Sequence, residues 1–331
     1  MTMLLLNATE IRKALPMNEA IEAMKHAYAS LSRGSAVVPL RTRLSIPNSE
    51  ALSLFMPAFV NTQQGDALAI KVVSLFPTNP ARGLPFIQAA VLVLDPETGR
   101  AIALLEGSSL TAIRTGAAGG AAIDLLARKD SKVAAIFGAG AQARTQLEAA
   151  CTARQIETAF IVARHTENAQ AFADEMKETG LITQDIRVAQ SPREAIEYAD
   201  IICTATTSSE PVFDDEDVKP GTHISAVGSY TPEMQEVPAE TLRRAKIFVD
   251  SRSASLEEAG DLLQPIRAGF FDESHIRGEL GEVVLGECPG RESADEITYF
   301  KSVGIAVQDA MAAQVALANA RSMNIGTEVE F

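Results

Sequence analysis

The sequence predicts an α/β protein in which a doubly wound parallel sheet is joined to an α+β domain with a mixed or antiparallel sheet. A short apolar strand runs directly into the glycine-rich segment GAGAQA at residues 138–143. From there to about residue 303, apolar β-runs alternate with helical segments, as they do in parallel sheets. Residues 37–105 contain short β-runs separated by turn-forming residues, a pattern typical of antiparallel sheets.

Length and composition indicate a globular protein of two domains. The chain has 331 residues, of which 47% are hydrophobic, enough to bury a sizeable core. Its formal net charge of -14 disfavours nucleic acid or an anionic membrane as a partner. The cysteines lie far apart without C-x-x-C spacing, so we expect reduced, buried thiols and neither disulfides nor a zinc site.

The sequence contains no targeting or metal-binding pattern. The N-terminus (MTMLLLNATE) lacks a basic region and has too few apolar residues for a signal peptide, and no later run is long enough to span a bilayer. We therefore expect a cytoplasmic protein. The histidines are widely separated and have no carboxylate cluster beside them, which predicts a reaction that needs no metal ion.

The N-terminal part of the chain begins with two predicted helices and continues as a sheet. Asn7 and Glu10 have capping-box spacing before a short helix, and an amphipathic helix is predicted at residues 18–32. The β-runs follow, and the clearest hairpin turn (DPETG) begins at Asp95. An Ala/Gly-rich helix at residues 108–128, whose small side chains permit close packing, leads to the central strand.

The segment GAGAQA matches the G-x-G-x-x-A fingerprint of Rossmann-type dinucleotide-binding folds. In that fingerprint, the first glycine (Gly138) allows a tight turn and the second (Gly140) lets a pyrophosphate approach the backbone. The small third residue, Ala143, lets helix and strand pack closely. The helix that follows would present the N–H groups of its first turn, Ala141 and Gln142 included, to the phosphates.

The alternating strands and helices beyond the fingerprint define the domain boundaries. We predict a Rossmann domain at residues 117–303 and a second domain made of residues 1–116 and 304–331, to which a final helix at residues 302–321 returns. Ligands of such sheets bind outside the carboxyl ends of the strands. We therefore expect the nicotinamide near the residues at these ends, which are Thr204, Ala205, Thr206, Val227, Val303 and Gly304.

The strand after the fingerprint helix ends without an acidic residue. In NAD-binding folds, a carboxylate at this position binds the ribose 2′-hydroxyl. Here the strand is followed by Arg164, His165 and Thr166, which suit a 2′-phosphate and so favour NADP, with NADPH preferred over NADH. The alternative is that Arg164 is a solvated loop residue and His165 only caps the next helix. Glu167 also lies nearby.

Together these motifs resemble the ornithine cyclodeaminase/mu-crystallin family over essentially the whole chain. The segments that carry the resemblance are PLRT at residues 39–42, KVVSLFP at 71–77 with Asn79, TAIRT at 111–115, GAGAQA at 138–143 and FKSVG at 300–304. In that family, a domain made from both chain ends binds the substrate and forms the dimer, while a Rossmann domain binds NAD(H) or NADP(H). The resemblance therefore implies the same division here, and a homodimer.

The resemblance also implies roles for individual residues. Arg41 and Arg114 would hold a substrate carboxylate, Lys71 would lie beside the reacting carbon, and Thr115 would belong to the cofactor site. The residues alone leave alternatives open, because Lys71 in mid-strand is also compatible with facing solvent, and Arg43 lies on the same strand face as Arg41. Arg114 has no acidic neighbour on its helix, and a buried guanidinium without an anion is costly, which favours a functional role.

One departure from the family pattern bears on the reaction. Ornithine cyclodeaminases usually read Val-Gly-x-Asp after the strand at residues 223–227, and that aspartate is their expected base, whereas Tyr230 stands at this position here. A phenol with a pKa of about 10 is a poor base at neutral pH, although it can donate a hydrogen bond or a proton. The departure disfavours cyclodeamination of ornithine and leaves imine reduction open.

The leading hypothesis is an NADPH-dependent reductase of a small cyclic imino acid, with Δ1-pyrroline-2-carboxylate reduced to L-proline and with Lys71 and Tyr230 as the catalytic residues. The alternatives within the family are ornithine cyclodeamination and the reductive amination of a 2-oxo acid, as in alanine dehydrogenase. An alternative of another class is a mu-crystallin-like protein that binds NADPH and a ligand without turnover. The presence of Lys71, Arg41 and Arg114 together favours catalysis.

Overall fold

The computed structural model describes residues 2–47, 49–62, 65–180, 183 and 185–330. The chain divides into two compact units, of which the first comprises Met1–Arg114 and Ile305–Phe331 and the second comprises Thr115–Gly304. The domain boundaries expected from the sequence, 116/117 and 303/304, each differ from this division by no more than two residues. Each unit is built on its own sheet.

The helices and strands are numbered in their order along the chain. The elements up to the unit boundary are β1 (Thr2–Leu6), α1 (Ala8–Ala14), α2 (Met17–Ser32), β2 (Ala36–Val37), β3 (Thr42–Ser45), β4 (Leu52–Val60), β5 (Ala67–Leu75), β6 (Ile87–Leu94), β7 (Ala101–Glu106) and α3 (Gly107–Leu126), which crosses it. The later elements are β8 (Val133–Phe137), α4 (Ala141–Ala153), β9 (Thr158–Val162), α5 (Thr166–Glu178), β10 (Asp185–Val188), α6 (Pro192–Ile196), β11 (Ile201–Thr204), β12 (His223–Ala226), α7 (Ala239–Arg244), β13 (Ala245–Val249), α8 (Arg252–Glu258), α9 (Gly260–Arg267), β14 (Ile276–Glu279), α10 (Leu280–Leu285), β15 (Ile297–Lys301), α11 (Ala306–Met323) and β16 (Thr327–Glu330). Short 3-10 helices occur at Pro80–Arg82, Asp215–Asp217 and Glu273–His275.

The sheet of the first unit is mixed. Its strand order is β16-β1-β7-β6-β5-β4-β2, and β3 pairs with β4. Strands β1 and β7 are parallel, whereas the pairings among β4, β5, β6 and β7 are antiparallel, as the short β-runs predicted. The alanine-rich helix α11 packs against β5, β4 and α2, and its small side chains allow that close approach.

Local signals in the sequence account for the ends of several elements in this unit. The capping box at α1 is confirmed, because the Asn7 side chain accepts from the Glu10 amide and the Glu10 carboxylate accepts from the Asn7 amide. The predicted turn between β6 and β7 is confirmed as well. There Asp95 Oδ1 accepts from the Thr98 amide at 2.8 Å, and Gly99 takes the left-handed conformation with φ of 72°.

The sheet of the second unit is parallel throughout and has the order β10-β9-β8-β11-β12-β15-β13-β14. Strands β9 and β10 lie on one side of β8, and β11 and the later strands lie on its other side. The direction in which successive strands are added therefore reverses between β8 and β11. Apolar clusters cover both faces, one around Phe172 and Leu147 and the other around Phe137 and Tyr299. This is the predicted doubly wound fold, with its ligand-binding crevice expected at the carboxyl ends of β8 and β11.

The prediction for the last helix was wrong at its start. Helix α11 begins at Ala306 and not at residue 302, because residues 302–305 are neither helix nor strand. The Asp250 carboxylate accepts from Ser302 Oγ and from the Gly304 amide, both at 2.8 Å, and Gly304 has a φ of 84° that other residues rarely adopt. The short strands β1, β14, β15 and β16 were not predicted from the sequence.

Two further expectations concern cysteines and membranes. Cys203 is buried, but Cys151 and Cys288 are only partly buried, so the expectation that all three thiols are buried was wrong. All three are free. Within the described ranges, no helix combines the length and the apolar character needed to cross a membrane.

Candidate active site

Lys71 lies in the middle of β5 on the face that the first unit buries. From Ala67 to Lys71 the strand alternates between buried and partly exposed residues, and Lys71 shares its face with Ala67 and Ala69. Only 2% of the residue is exposed, so the alternative that Lys71 faces solvent is excluded. Its Nζ lies 2.7 Å from Oδ2 of Asp309 on α11.

Asp309 is the anion that holds this cluster together. It lies in the first turn of α11, where the positive end of the helix dipole stabilises a carboxylate, and it is 1% exposed. Its Oδ1 accepts from Arg114 Nε at 3.0 Å. The neighbouring Gln308 accepts from Arg114 Nη1 at 2.6 Å and donates to the Tyr28 hydroxyl at 2.5 Å. Helices α2, α3 and α11 thus all contribute polar groups to one buried cluster.

The expectation that Arg114 lacks an acidic partner was wrong. The guanidinium is 5% exposed and pairs with Asp309, whose position on another helix could not be read from the α3 sequence. Nε and Nη1 are engaged, whereas Nη2 donates to no protein group in the part of the chain that the structure describes. One edge of the Arg114 guanidinium therefore has no protein partner among the described residues, although the guanidinium as a whole is paired with a carboxylate.

The surroundings of Lys71 make its proton easier to remove than that of an ordinary lysine. Burial lowers the pKa of Lys71 to about 8, and the nearby charges of Arg114 and Arg41 act in the same direction. The Asp309 carboxylate opposes them by stabilising the ammonium. Lys71 is consequently charged at neutral pH but can give up a proton close to it, which is the property required of a general acid.

The structure distinguishes the two arginines at the start of β3. Arg41 precedes the strand, is partly buried and lies near enough for its charge to act on Lys71. Arg43 is exposed and lies opposite Leu54 of β4. The predicted substrate-binding residues Arg41, Lys71 and Arg114 are therefore brought together, whereas Arg43 is exposed.

The fingerprint loop of the second unit has the conformation that its glycines predict. Gly138 has a φ of 113°, and a Cβ there would lie 2.5 Å from the Ala205 carbonyl oxygen. Gly140 is the N-cap of α4 without a side-chain cap, and a Cβ at Gly140 would meet no atom within 4 Å. Because glycine has no side chain, the N-cap leaves the N–H groups of the first turn, at Ala141 and Gln142, without a capping hydrogen bond. Gln142 Oε1 is buried without a hydrogen-bond partner among the described residues. These features fit a dinucleotide pyrophosphate at this helix start.

The other predicted cofactor residues of this unit lie at strand ends or in the first half of α3. Thr115 is buried, and its carbonyl oxygen accepts from Gln146 Nε2 at 3.0 Å, which fastens α3 to α4. The Thr204 hydroxyl and the Thr206 amide both donate to the Glu236 carboxylate. The Val227 amide donates to the Thr204 carbonyl oxygen at 3.0 Å, so the loops after β11 and β12 are tied together.

The tip of β9 presents the residues that the sequence assigned to the adenosine ribose. Arg164, His165 and Thr166 are all exposed. His165 is the N-cap residue of α5 but makes no side-chain cap hydrogen bond, so the suggestion that it merely caps the helix is not supported. Its Nδ1 lies 3.9 Å from Glu167 Oε1. The start of a long helix, an exposed guanidinium and a hydroxyl thus lie next to one another.

A comparison with known protein families shows the family to which the chain belongs. The family model described as the ornithine cyclodeaminase/mu-crystallin family matches residues 1–324. The chain belongs to this family.

Three relatives with named activities are similar to this chain over almost its whole length. The Δ1-pyrroline-2-carboxylate reductase of Bacillus cereus is 42% identical over 330 residues, which cover 99% of this chain and 100% of the relative. The structure of Thermococcus litoralis Δ1-pyrroline-2-carboxylate reductase in complex with NADH and L-proline superposes with a TM-score of 0.92 at 45% identity, covering 99% of this chain and 100% of that one. An archaeal alanine dehydrogenase dimer with bound NAD gives a TM-score of 0.90 at 34% identity and full coverage of both chains.

Tyr230, which replaces the aspartate usual in the family's cyclodeaminases, lies in the loop after β12. The residue is partly buried, and burial raises the pKa of its phenol above the ordinary value. The phenol therefore remains protonated at neutral pH, which suits a hydrogen-bond or proton donor and not a base.

Among the described residues, no group of three His, Cys, Asp or Glu side chains could hold a metal ion.

Sequence reasoning missed Asp309, Gln308 and Glu236. Asp309 and Gln308 lie on α11, to which the sequence assigned no functional role. Glu236 lies in a loop without a recognisable motif. The available signal was a polar pair, Gln308 and Asp309, within an alanine-rich apolar helix. Polar residues that are buried in such a helix need partners, and here these partners are Arg114 and Lys71.

Proposed function

We propose that the protein reduces a small cyclic imino acid with NADPH, and that its reaction is the conversion of Δ1-pyrroline-2-carboxylate to L-proline. The proposal is supported by relatives over the full chain that are named for this reaction. The observation that carries it is the buried cluster of Lys71, Arg114 and Asp309. The cluster offers both a carboxylate-binding group and a proton donor within one unit.

The charge of the cluster favours an anionic substrate. Two cations, Lys71 and Arg114, share a single carboxylate, Asp309, in the part of the chain that the structure describes. Buried charge that exceeds its counter-ions is costly unless a ligand neutralises it. A substrate carboxylate that binds the free edge of Arg114, together with Arg41, removes the excess and fixes the position of the carbon next to it.

The proton chemistry of the cluster favours an imine. An imine accepts hydride most readily when its nitrogen is protonated, so a site for imine reduction must hold a proton there. The Lys71 ammonium, with its lowered pKa, can donate a hydrogen bond or a proton to that nitrogen. Asp309 keeps Lys71 charged in the absence of substrate. Tyr230 is the second candidate for a proton donor, since its phenol is protonated at neutral pH.

The second unit would bind the dinucleotide, which supplies the hydride when bound. Gly140 and the first turn of α4, with Ala141 and Gln142, would hold the pyrophosphate. Arg164 and Thr166 would bind a 2′-phosphate, which is the basis for preferring NADPH to NADH. The named structural relatives contain NADH or NAD, so the choice between the two cofactors depends on these residues of this chain.

We also propose that the first unit forms a homodimer. Large apolar side chains are exposed on and beside β3 and β6, with Leu40 79%, Leu44 51% and Ile87 42% exposed. Exposed large apolar side chains are typical of surfaces that associate with another chain. The archaeal alanine dehydrogenase relative is itself a dimer.

Two alternative reactions and one alternative without catalysis are tested by the same experiment. Purified protein is assayed with NADPH and with NADH against Δ1-pyrroline-2-carboxylate, its six-membered-ring homologue, pyruvate with ammonia, and L-ornithine. We expect cyclic imino acids to be reduced and the other substrates to be inactive. Faster reductive amination of pyruvate would identify an alanine dehydrogenase, ammonia release from L-ornithine would identify a cyclodeaminase, and cofactor binding without any turnover would identify a binding protein.

A further inference from the structure

Glu236 places a fully buried carboxylate between the loops that follow β11 and β12. The side chain is 0% exposed. Its Oε1 accepts from the Thr206 amide at 2.6 Å, and its Oε2 accepts from Thr204 Oγ1 at 2.9 Å. Oε2 also accepts from the amides of Gly228 at 2.8 Å and Ser229 at 3.2 Å. One side chain therefore fixes the backbone of both loops.

The packing around Glu236 leaves no room for a side chain at two glycine positions. A Cβ at Gly228 would lie 2.2 Å from the Thr206 carbonyl oxygen and 2.3 Å from Glu236 Oε1. A Cβ at Gly260, the first residue of α9, would lie 2.0 Å from the Met234 carbonyl oxygen. All three contacts are shorter than real Cβ atoms make, so the two glycines permit the loops to close around the carboxylate.

The hydrogen bonds favour the ionised form of Glu236. Three of its partners are backbone amides, which can only donate, and a proton on the carboxyl group would compete with them. Burial raises the pKa of Glu236, while the charge of buried Lys301 acts in the opposite direction. Lys301 also lies 3.5 Å from Asp261, whose other oxygen accepts from the Glu236 amide at 2.7 Å. The loops thus rest on a buried ionic network at the carboxyl edge of the parallel sheet.

We propose that Glu236 is a positioning residue for the nicotinamide half of the cofactor. The inference rests on the proposed cofactor-binding function, because Thr204, Thr206 and Val227 are the residues expected near the nicotinamide. Glu236 holds the first two directly and holds Val227 through its successor, Gly228. The adenosine and pyrophosphate half is assigned to the fingerprint helix and the tip of β9, and none of the Glu236 hydrogen bonds reaches those segments.

The variant Glu236→Gln tests this division within the cofactor. An amide keeps the shape, but its NH2 group must face either the Thr206 amide or the three donors on Oε2, so at least one donor loses its acceptor. Calorimetry would measure binding of NADH or NADPH, whichever the wild type binds more tightly, and of the matching nucleotide without nicotinamide, ADP-ribose or its 2′-phosphate. We expect the dinucleotide dissociation constant to rise by about tenfold, with that of the truncated nucleotide unchanged.

Matched variants keep the test decisive. Glu233→Gln, at an exposed position of the same loop, should bind both nucleotides as the wild type does. If Glu236→Gln does not fold, Glu236→Asp retains the charge at a shorter reach and should show a smaller loss of the same kind. An equal loss of affinity for both nucleotides, or no loss for either, in the folded variant would overturn the proposal. A wild type that binds neither nucleotide would instead refute the cofactor function on which it rests.

Discussion

Replacing Asp309 by Asn removes the only carboxylate that pairs with both Lys71 and Arg114 in the described part of the chain. An ammonium with a pKa of about 8 is about nine-tenths protonated at pH 7, so the wild-type rate should fall as the pH rises through this value. Because Asp309 raises the Lys71 pKa, its loss should move this fall to lower pH.

The size of the effect follows from the burial of the pair. Removing one partner of a buried ion pair costs about 3–5 kcal/mol, and one pKa unit corresponds to about 1.4 kcal/mol. If a third of that cost appears in the protonation of Lys71, its pKa falls by roughly one unit and about half of the lysine is neutral at pH 7. This lowers kcat by about twofold at pH 7 and by up to about tenfold well above pH 8, while misorientation of Arg114 raises KM for the imino acid.

The assay is the pH profile of kcat for Δ1-pyrroline-2-carboxylate reduction, measured for the wild type, Asp309→Asn and the exposed control Glu97→Gln. Titration of the substrate itself is common to all three proteins and cancels in the ratio of their rates. The control should follow the wild type, since Glu97 is exposed in the hairpin between β6 and β7. A folded Asp309→Asn protein whose profile coincides with that of the wild type would refute the role assigned to the Lys71–Asp309 pair.

Cofactor choice, assembly and metal dependence can be tested independently. Arg164→Asp should reduce the ratio of kcat/KM for NADPH to that for NADH by about tenfold or more, because a carboxylate repels the 2′-phosphate; equal use of both cofactors by the wild type would contradict the assignment. Light scattering at micromolar concentration should give about twice the chain mass of 35.2 kDa, and a monomer mass would rule out the homodimer. Activity should survive EDTA, and a loss that zinc or magnesium restores would show that a metal takes part.

The sequence predicted what depends on near neighbours along the chain. The fingerprint strand, its glycines and α4 form one continuous segment, so pattern and spacing were sufficient for them. The pair of Arg114 and Asp309 spans 195 positions, and no local pattern links those two residues. The same reason explains the strands β1 and β16, which pair only when the two ends of the chain meet. The function of Lys71 was proposed from resemblance, whereas its burial, partner and lowered pKa required the fold.

The most direct test of the account is a comparison of steady-state kinetics for Δ1-pyrroline-2-carboxylate among the wild type, Lys71→Ala and Arg114→Ala, with dinucleotide affinity measured separately. We expect the wild type to form L-proline and not to cyclise L-ornithine. We expect Lys71→Ala to lose kcat by at least about a hundredfold with its dinucleotide affinity retained. Arg114→Ala should mainly raise KM for the imino acid. Full reductase activity in Lys71→Ala, or robust release of ammonia from L-ornithine by the wild type, would contradict the account.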